Sequence, residues 1–499
     1  MNHAVLWPMA LYLVGVFALA FLSRRHLTDS KGFMAEYLMG SRSMGGFVLA
    51  MTLAATFISA SSFIGGPGAA YKHGLGWVLL AMIQLPTAWL TLGVLGKKFA
   101  IEARRHNAMT LNDMLYARYQ NRGVVIFASL ALLLAFFGTM VVQFVGGARL
   151  LQSAAGLSYQ QGLMLFALTV GIYTTIGGFR AVVMTDTLQG IMMLIGTVAL
   201  LGGVIYAGGG LTELVTKLHS IDPALTQPYG ANDFLSQPFM LSFWVLVCFG
   251  VIGLPHTAVR CMAYKDTQSL HRAMVIGTVI VGFLIFGMHF AGALGRAIIP
   301  SPDSPDNILP ELMITVLPPV LAGVFLAGPM AAIMSTIDSQ LIQASATLLK
   351  DLYWNYVRGI GKPAGSNAEQ QLQEQRSERL EKRMPGLSLW VTGIFSLLVF
   401  AAAFNPPEMI IWLNLLAFGG MQAVFFWPLV LGLYWQRASS FGAASSMIAG
   451  LGCYAALVTF KPDMNGIHAI VPTLLVSLLA FVGGSLLRPN TATQFGQTA

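Results

Sequence analysis

The chain has 499 residues, 56% of them hydrophobic and only 10% charged, with a mean hydropathy of +0.70. A soluble protein carries about 25% charged residues, so a soluble enzyme or a nucleic-acid-binding protein is excluded. The formal net charge of +8 is better explained by membrane topology than by an acidic partner.

The apolar residues fall in runs of about 20, the length that crosses a hydrocarbon core of about 30 Å. Thirteen such spans are predicted: 4–22, 45–70, 75–96, 123–152, 160–177, 184–207, 238–258, 273–295, 317–348, 387–404, 408–434, 441–460 and 469–487. The first has no basic residue before it and Arg24, Arg25 and Lys31 after it, the reverse of a cleaved signal peptide. It reads as a retained span with its N-terminus outside. With that orientation 23 of the 28 Lys and Arg residues fall on the inner side and 5 outside, as the positive-inside rule requires. A span too many or too few would have inverted every later loop.

The second span contains "ATFISASSFIGGPGAAY" (55–71), which is too rich in serine, glycine and proline to remain one helix. Unpaired backbone groups are costly in lipid, so a span unwinds only where protein or a water-lined cavity takes up its carbonyls. Freed carbonyls are expected near Ala55 to Ile58, although small residues could equally serve close helix packing. The seventh span repeats the pattern in "CFGVIGLPHTAVR" (248–260), with Gly250, Gly253 and Pro255. Each interrupted span opens a block of five, 2–6 and 7–11. An odd block length inverts the second block relative to the first. Paired interruptions in inverted halves point to a transporter binding site.

The ninth span carries "PMAAIMSTIDSQL" (329–341), with Ser335 and Thr336 adjacent and Ala332 one turn earlier. Two hydroxyls and three backbone carbonyls would give Na⁺ five oxygen ligands without a carboxylate. Alone, the pair could simply bond back to carbonyls of its own helix. Asp338 lies nearly on the same face as Ser335, and intramembrane carboxylates are candidates for function. It either strengthens the ion site from behind, or allows a proton to substitute for the ion, or sits hydrated and inert near the inner mouth. Arg260 is expected at the inner face, snorkelling or capping. The inner loop 350–385, with "NAEQQLQEQRSERLEKR", reads as a solvated tether, and the polar tail after Arg488 leaves no room for a signalling domain.

Cys248, Cys261 and Cys453 form no paired framework or metal spacing. A membrane-embedded enzyme would need titratable clusters, yet only His256 and His289 fall clearly within spans. A passive channel would lack the broken helices.

The strings "LMGSRSMGG", "GGFRAVVMTDTLQG", "GLPHTAVR" and "AAIMSTIDSQL", in that order, resemble the sodium:solute symporter family over nearly the whole chain. "ISASSFIGGPGAAYKHGLGWVLLAMIQLP" and "NPPEMIIWLNLLAFGGMQAVFFWPLVLGLYW" are similar to its pantothenate-carrying members. The resemblance implies an all-α membrane protein with a five-plus-five inverted-repeat (LeuT-type) core. The repeats would be 45–236 and 237–435, preceded by an extra helix in 1–44 and followed by two in 436–499, with the C-terminus inside. It implies alternating access driven by Na⁺, with pantothenate as solute, or another small carboxylate or amino acid. The expected setting is a bacterial cytoplasmic membrane, with no organic cofactor and no obligate protein partner.

By the same resemblance the sodium ligands are the carbonyls of Ala55, Ile58 and Ala332 and the hydroxyls of Ser335 and Thr336. Asp186 matches an acidic position on the ion's exit path, or is an N-cap of the sixth span. The solute would lie among Ser59, Ser61 and Ser62, facing Trp244, Phe249, Pro255 and Gln422. Gln143 either joins them or bonds a neighbouring helix.

Overall fold

A computed structural model describes residues 3–29, 44–357, 383–407 and 409–489. Lys31, Arg42, nearly all of the charged string in the inner loop and the tail from residue 490 lie outside them, as does most of "LMGSRSMGG". The regular elements among the described residues are helices: α1 (His3–Asp29), α2 (Gly46–Phe57), α3 (Ser61–His73), α4 (Leu75–Arg105), α5 (Leu111–Tyr119), α6 (Arg122–Ala155) and α7 (Tyr159–Ala207). They continue with α8 (Leu211–Ile221), α9 (Gln237–Gly253), α10 (Pro255–Met262), α11 (Thr267–Gly295), α12 (Ile308–Val316), α13 (Pro319–Asn355), α14 (Met384–Ala402), α15 (Ile410–Tyr434), α16 (Ser440–Phe460) and α17 (Ile470–Leu487).

Among the described residues eight helices are long and apolar enough to cross a membrane, and ten if each bent pair counts as one span. The pairs are α2/α3, bent by 66°, and α9/α10, bent by 49°. They are the two spans whose glycines and prolines predicted interruption. Two shorter apolar helices, Ala4–Ala18 and Gly386–Ala402, match the first and tenth predicted spans.

One element differs from expectation. Residues 160–177 and 184–207 are predicted as two spans, and helical backbone is assigned over all 49 residues from Tyr159 to Ala207, with the chain turning back on itself between the two halves. A straight helix of that length would measure about 73 Å, more than twice the hydrocarbon core. The contacts show the two halves running antiparallel, as two spans would. The first half descends along α6, with Gly162 against Ala148 and Phe166 against Phe144. The second climbs α13, with Asp186 beside the Arg260–Ser339 pair, Gly196 against Phe325 and Gly203 against Leu317.

Long helices α6, α11, α13 and α15 surround the broken pairs. Close approach depends on small residues facing backbone. A Cβ on Gly292 of α11 would sit 2.6 Å from Pro67 Cα, and one on Gly253 would sit 2.9 Å from Phe426 Cα. Without a hydrophobic drive between helices in lipid, such contacts supply the packing attraction.

Candidate functional site

Helix α2 stops at Phe57 because Ile58 turns to extended backbone, φ −74° and ψ 118°, while its N–H still reaches Ala54 O at 2.7 Å. A π-helical turn then starts the outer half at Ser61, and Pro67 sits in the first turn of the α-helix that follows. The break leaves backbone groups without helical partners, and nearby side chains take some of them up. Gln143 Oε1 on α6 accepts from the Ala60 N–H at 2.8 Å, and Ser59 Oγ accepts from the Ser61 N–H at 3.3 Å. Gln143 therefore bonds its neighbouring broken helix.

The freed carbonyls face α13. Ser335 Oγ donates to Ala55 O at 2.8 Å and to Ala332 O at 3.1 Å. Thr336 Oγ1 reaches Ala332 O at 3.0 Å, Ile58 O at 3.3 Å and Thr56 O at 3.5 Å. Four carbonyls and two hydroxyls thus converge in a buried spot, and they include the five residues the sequence pointed to, with Thr56 O in addition. Both hydroxyls also bond back to their own helix, so both readings of the Ser-Thr pair hold together.

A charged layer lies immediately below. Thr52 Oγ1 donates to Asp186 Oδ2 at 2.5 Å, and Arg260 Nη2 sits 3.5 Å from the same oxygen and 2.5 Å from Ser339 Oγ. Ser339 in turn meets Thr56 at 3.3 Å. Asp186 lies inside the span Val182–Ala207 with its carboxylate on Thr52 and Arg260, so it is not an N-cap. Arg260 neither snorkels nor caps: it is fully buried, its charge matched by Asp186. Asp338 is also fully buried rather than hydrated at a mouth.

The second broken pair mirrors the first. Leu254 is extended at φ −84° and ψ 119°, with Pro255 opening α10. Gln422 Nε2 of α15 donates to Leu246 O at 2.7 Å within the π-helical turn Trp244–Phe249. A glutamine from a long helix thus steadies each broken pair.

A cavity lies between the two pairs. Ser61 and Ser62 line it with Trp77, Phe243, His289 and Asn414, while Ser59 bonds Ser61 at 3.0 Å. Above it, aromatic rings form a cover: His73 stacks on Phe234 with centroids 4.1 Å apart, and Trp77 meets Trp412 edge-on at 5.8 Å. Trp244 and Phe249 do not line the cavity; they are 40% and 46% exposed and face each other at 6.3 Å. Phe243 and Val247 line it instead. Pro255 is buried at the second break and Gln422 beside it, neither in the cavity lining.

A second polar cavity leads inward from Arg260 and Ser339 past Gln343 and Thr347 to Asp351. There Asp351 accepts from Thr110 Oγ1 and Asn112 Nδ2, both at 2.8 Å, and Lys350 pairs with Asp113. No motif pointed to this cluster, because its residues are about 240 positions apart in the chain.

The chain is 59% identical over 97% of its length to the sodium/pantothenate symporter of Escherichia coli (strain K12), covering 97% of that protein. It is 55% identical over its whole length to the sodium/pantothenate symporter of Haemophilus influenzae, covering all of it. Among solved structures, a Na⁺-coupled sialic acid symporter superposes with a TM-score of 0.77 at 19% identity, over 99% of both chains. That likeness shows the fold, the LeuT-type architecture that the family resemblance implied. The model of the sodium:solute symporter family matches residues 37–450, and the chain belongs to that family.

Proposed function

We propose that this protein is a Na⁺-coupled symporter that imports pantothenate across a bacterial cytoplasmic membrane by alternating access. The observation that carries the ion coupling is the buried set of five neutral oxygens from Ala55, Ile58, Ala332, Ser335 and Thr336 across the α2/α3 break. Neutral hard oxygens hold Na⁺ without a carboxylate's full charge, which suits an ion that must also be released. Relatives that share more than half of the sequence and are named sodium/pantothenate symporters support the solute.

The solute occupies the cavity lined by Ser61, Ser62, Asn414 and Trp77, with the N-terminus of α3 toward it. That end carries the positive pole of the helix dipole and favours a carboxylate. Among the described residues the lining has no lysine or arginine, so the ion's charge compensates the carboxylate, and solute and ion bind better together than apart. Asp186, with Asp338 nearby, attracts the ion inward once the inner side opens. The chain crosses the membrane thirteen times, N-terminus outside, with repeats 45–236 and 237–435 rocking against each other. It works without an organic cofactor or obligate partner, in contact with lipid.

Uptake of labelled pantothenate into proteoliposomes tests this. Accumulation is expected with an inward Na⁺ gradient and not with K⁺ in its place. Uptake indifferent to Na⁺ would overturn the coupling. Na⁺-driven uptake of proline or another small acid, with pantothenate ignored, would overturn the solute.

A further inference from the structure

Two residues that line the solute cavity each carry a buried polar atom with no hydrogen-bond partner among the described residues. The Trp77 indole Nε1–H of α4 and the Asn414 amide Oδ1 of α15 are both buried and unpaired among the described residues, in side chains only 3% exposed. Buried polar groups in native proteins nearly always find partners, and one left without costs its full desolvation. Here a donor and an acceptor are stranded in the same cavity wall, on helices held together by the Trp77–Trp412 contact. Phe243 also packs edge-on against the Trp77 ring, with centroids 5.9 Å apart. The partners are therefore expected to come from outside the protein.

We propose that Trp77 and Asn414 form a donor–acceptor clamp that selects the solute, the indole N–H donating to a solute oxygen and the Asn414 carbonyl accepting from a solute hydroxyl. This rests on the reading of the cavity as the pantothenate site and deepens it: pantothenate offers carboxylate and amide oxygens for the first and two hydroxyls for the second. An acid without hydroxyls leaves Asn414 unpaired, and a site built to bond a hydroxyl discriminates strongly against the analogue that lacks one.

The test compares inhibition of labelled pantothenate uptake by unlabelled pantothenate and by its analogue lacking both hydroxyls, in wild type, Asn414→Leu, Asn414→Asp and Trp77→Phe. Wild type is expected to prefer pantothenate by about tenfold or more, Asn414→Leu to flatten that ratio to about one, and Asn414→Asp, which keeps an acceptor, to retain most of it. Trp77→Phe keeps the ring but loses the donor, so it weakens both competitors alike by about tenfold. A second readout needs no transport: Asn414→Leu raises the melting temperature of the solute-free protein while abolishing most of the shift that pantothenate induces. Leucine at 414 that keeps the hydroxyl preference, or that lowers the solute-free melting temperature, would overturn the proposal. Wild type that ignores pantothenate while importing another acid would overturn the solute reading, and the hydroxyl assignment with it.

Discussion

The Asp186–Arg260 pair is the most exacting place to test the energetics of the charged layer. Their nearest atoms are 3.5 Å apart and the side chains are 0% and 1% exposed. At that distance, with an effective dielectric constant of about 20, the attraction is about 5 kcal/mol. Burial of both charges consumes most of this, so the pair as a whole adds little net stability, while loss of one member strands the other. Asp186→Asn is expected to destabilise by about 3–5 kcal/mol, because Arg260 keeps its charge beside a neutral amide. Arg260→Met is expected to cost a similar amount, leaving Asp186 with the Thr52 hydrogen bond and no counter-charge. The double variant is expected within about 1 kcal/mol of wild type, a coupling of about 3 kcal/mol or more. Denaturant unfolding in detergent, followed by helical circular dichroism, measures all four corners of the cycle. Single costs that simply add, with coupling below about 1 kcal/mol, would refute the claim that these two charges neutralise each other.

Gly292→Ala would place a methyl 2.6 Å from Pro67 Cα and 2.8 Å from its Cβ; thermal unfolding is expected to show a loss of about 1–3 kcal/mol. Gly202→Ala on α7 meets nothing within 4 Å and serves as the neutral or mildly stabilising control. Asp351→Ala removes the acceptor for Thr110 and Asn112 at the start of α5, so limited trypsin digestion is expected to cut faster at Arg105 and Arg122. Burial pushes His468 from 6.5 down to about 4, and its Nδ1 accepts the Ile470 N–H at 3.2 Å at the start of α17. Above pH 6.5 both states are neutral; as pH falls, the unfolded chain takes up a proton that the fold refuses, so this contribution is lost between pH 6.5 and about 4. His468→Asn is expected to show a smaller drop in melting temperature across that window.

The positions of the two breaks were legible because their causes are local. The serine-, glycine- and proline-rich stretches 59–68 and 250–255 weaken a continuous helix, and the breaks fall at their edges, at Ile58 and Leu254. The oxygens proposed to hold the ion come together for an equally local reason, since backbone carbonyls need only the break and Ser335 and Thr336 need only adjacency. The faces of the seventh span were not. Its Trp244–Phe249 segment is π-helical, and the wider turn shifts the register that a 3.6-residue period assigns. That rotation carries Trp244 and Phe249 outward and brings Phe243 and Val247 to the cavity. Arg260 looked like a boundary residue because it follows an apolar run, yet the bend at Leu254 turns α10 into the protein and takes the guanidinium with it. Trp77 and Asn414 sit in unbroken apolar helices, where no local pattern separates a cavity-facing polar group from a packed one. Only the assembled walls reveal them.

The central claim, that the α2/α3 break and α13 together hold the coupling ion, is tested most directly by the Na⁺ concentration giving half-maximal pantothenate uptake. It would be measured in wild type, Ser335→Ala, Thr336→Ala and Thr336→Ser. Loss of one hydroxyl ligand is expected to raise that concentration about tenfold, equivalent to about 1.4 kcal/mol, while Thr336→Ser stays near wild type. Alanine variants that transport with unchanged Na⁺ dependence would contradict the account and move the ion site elsewhere in the fold.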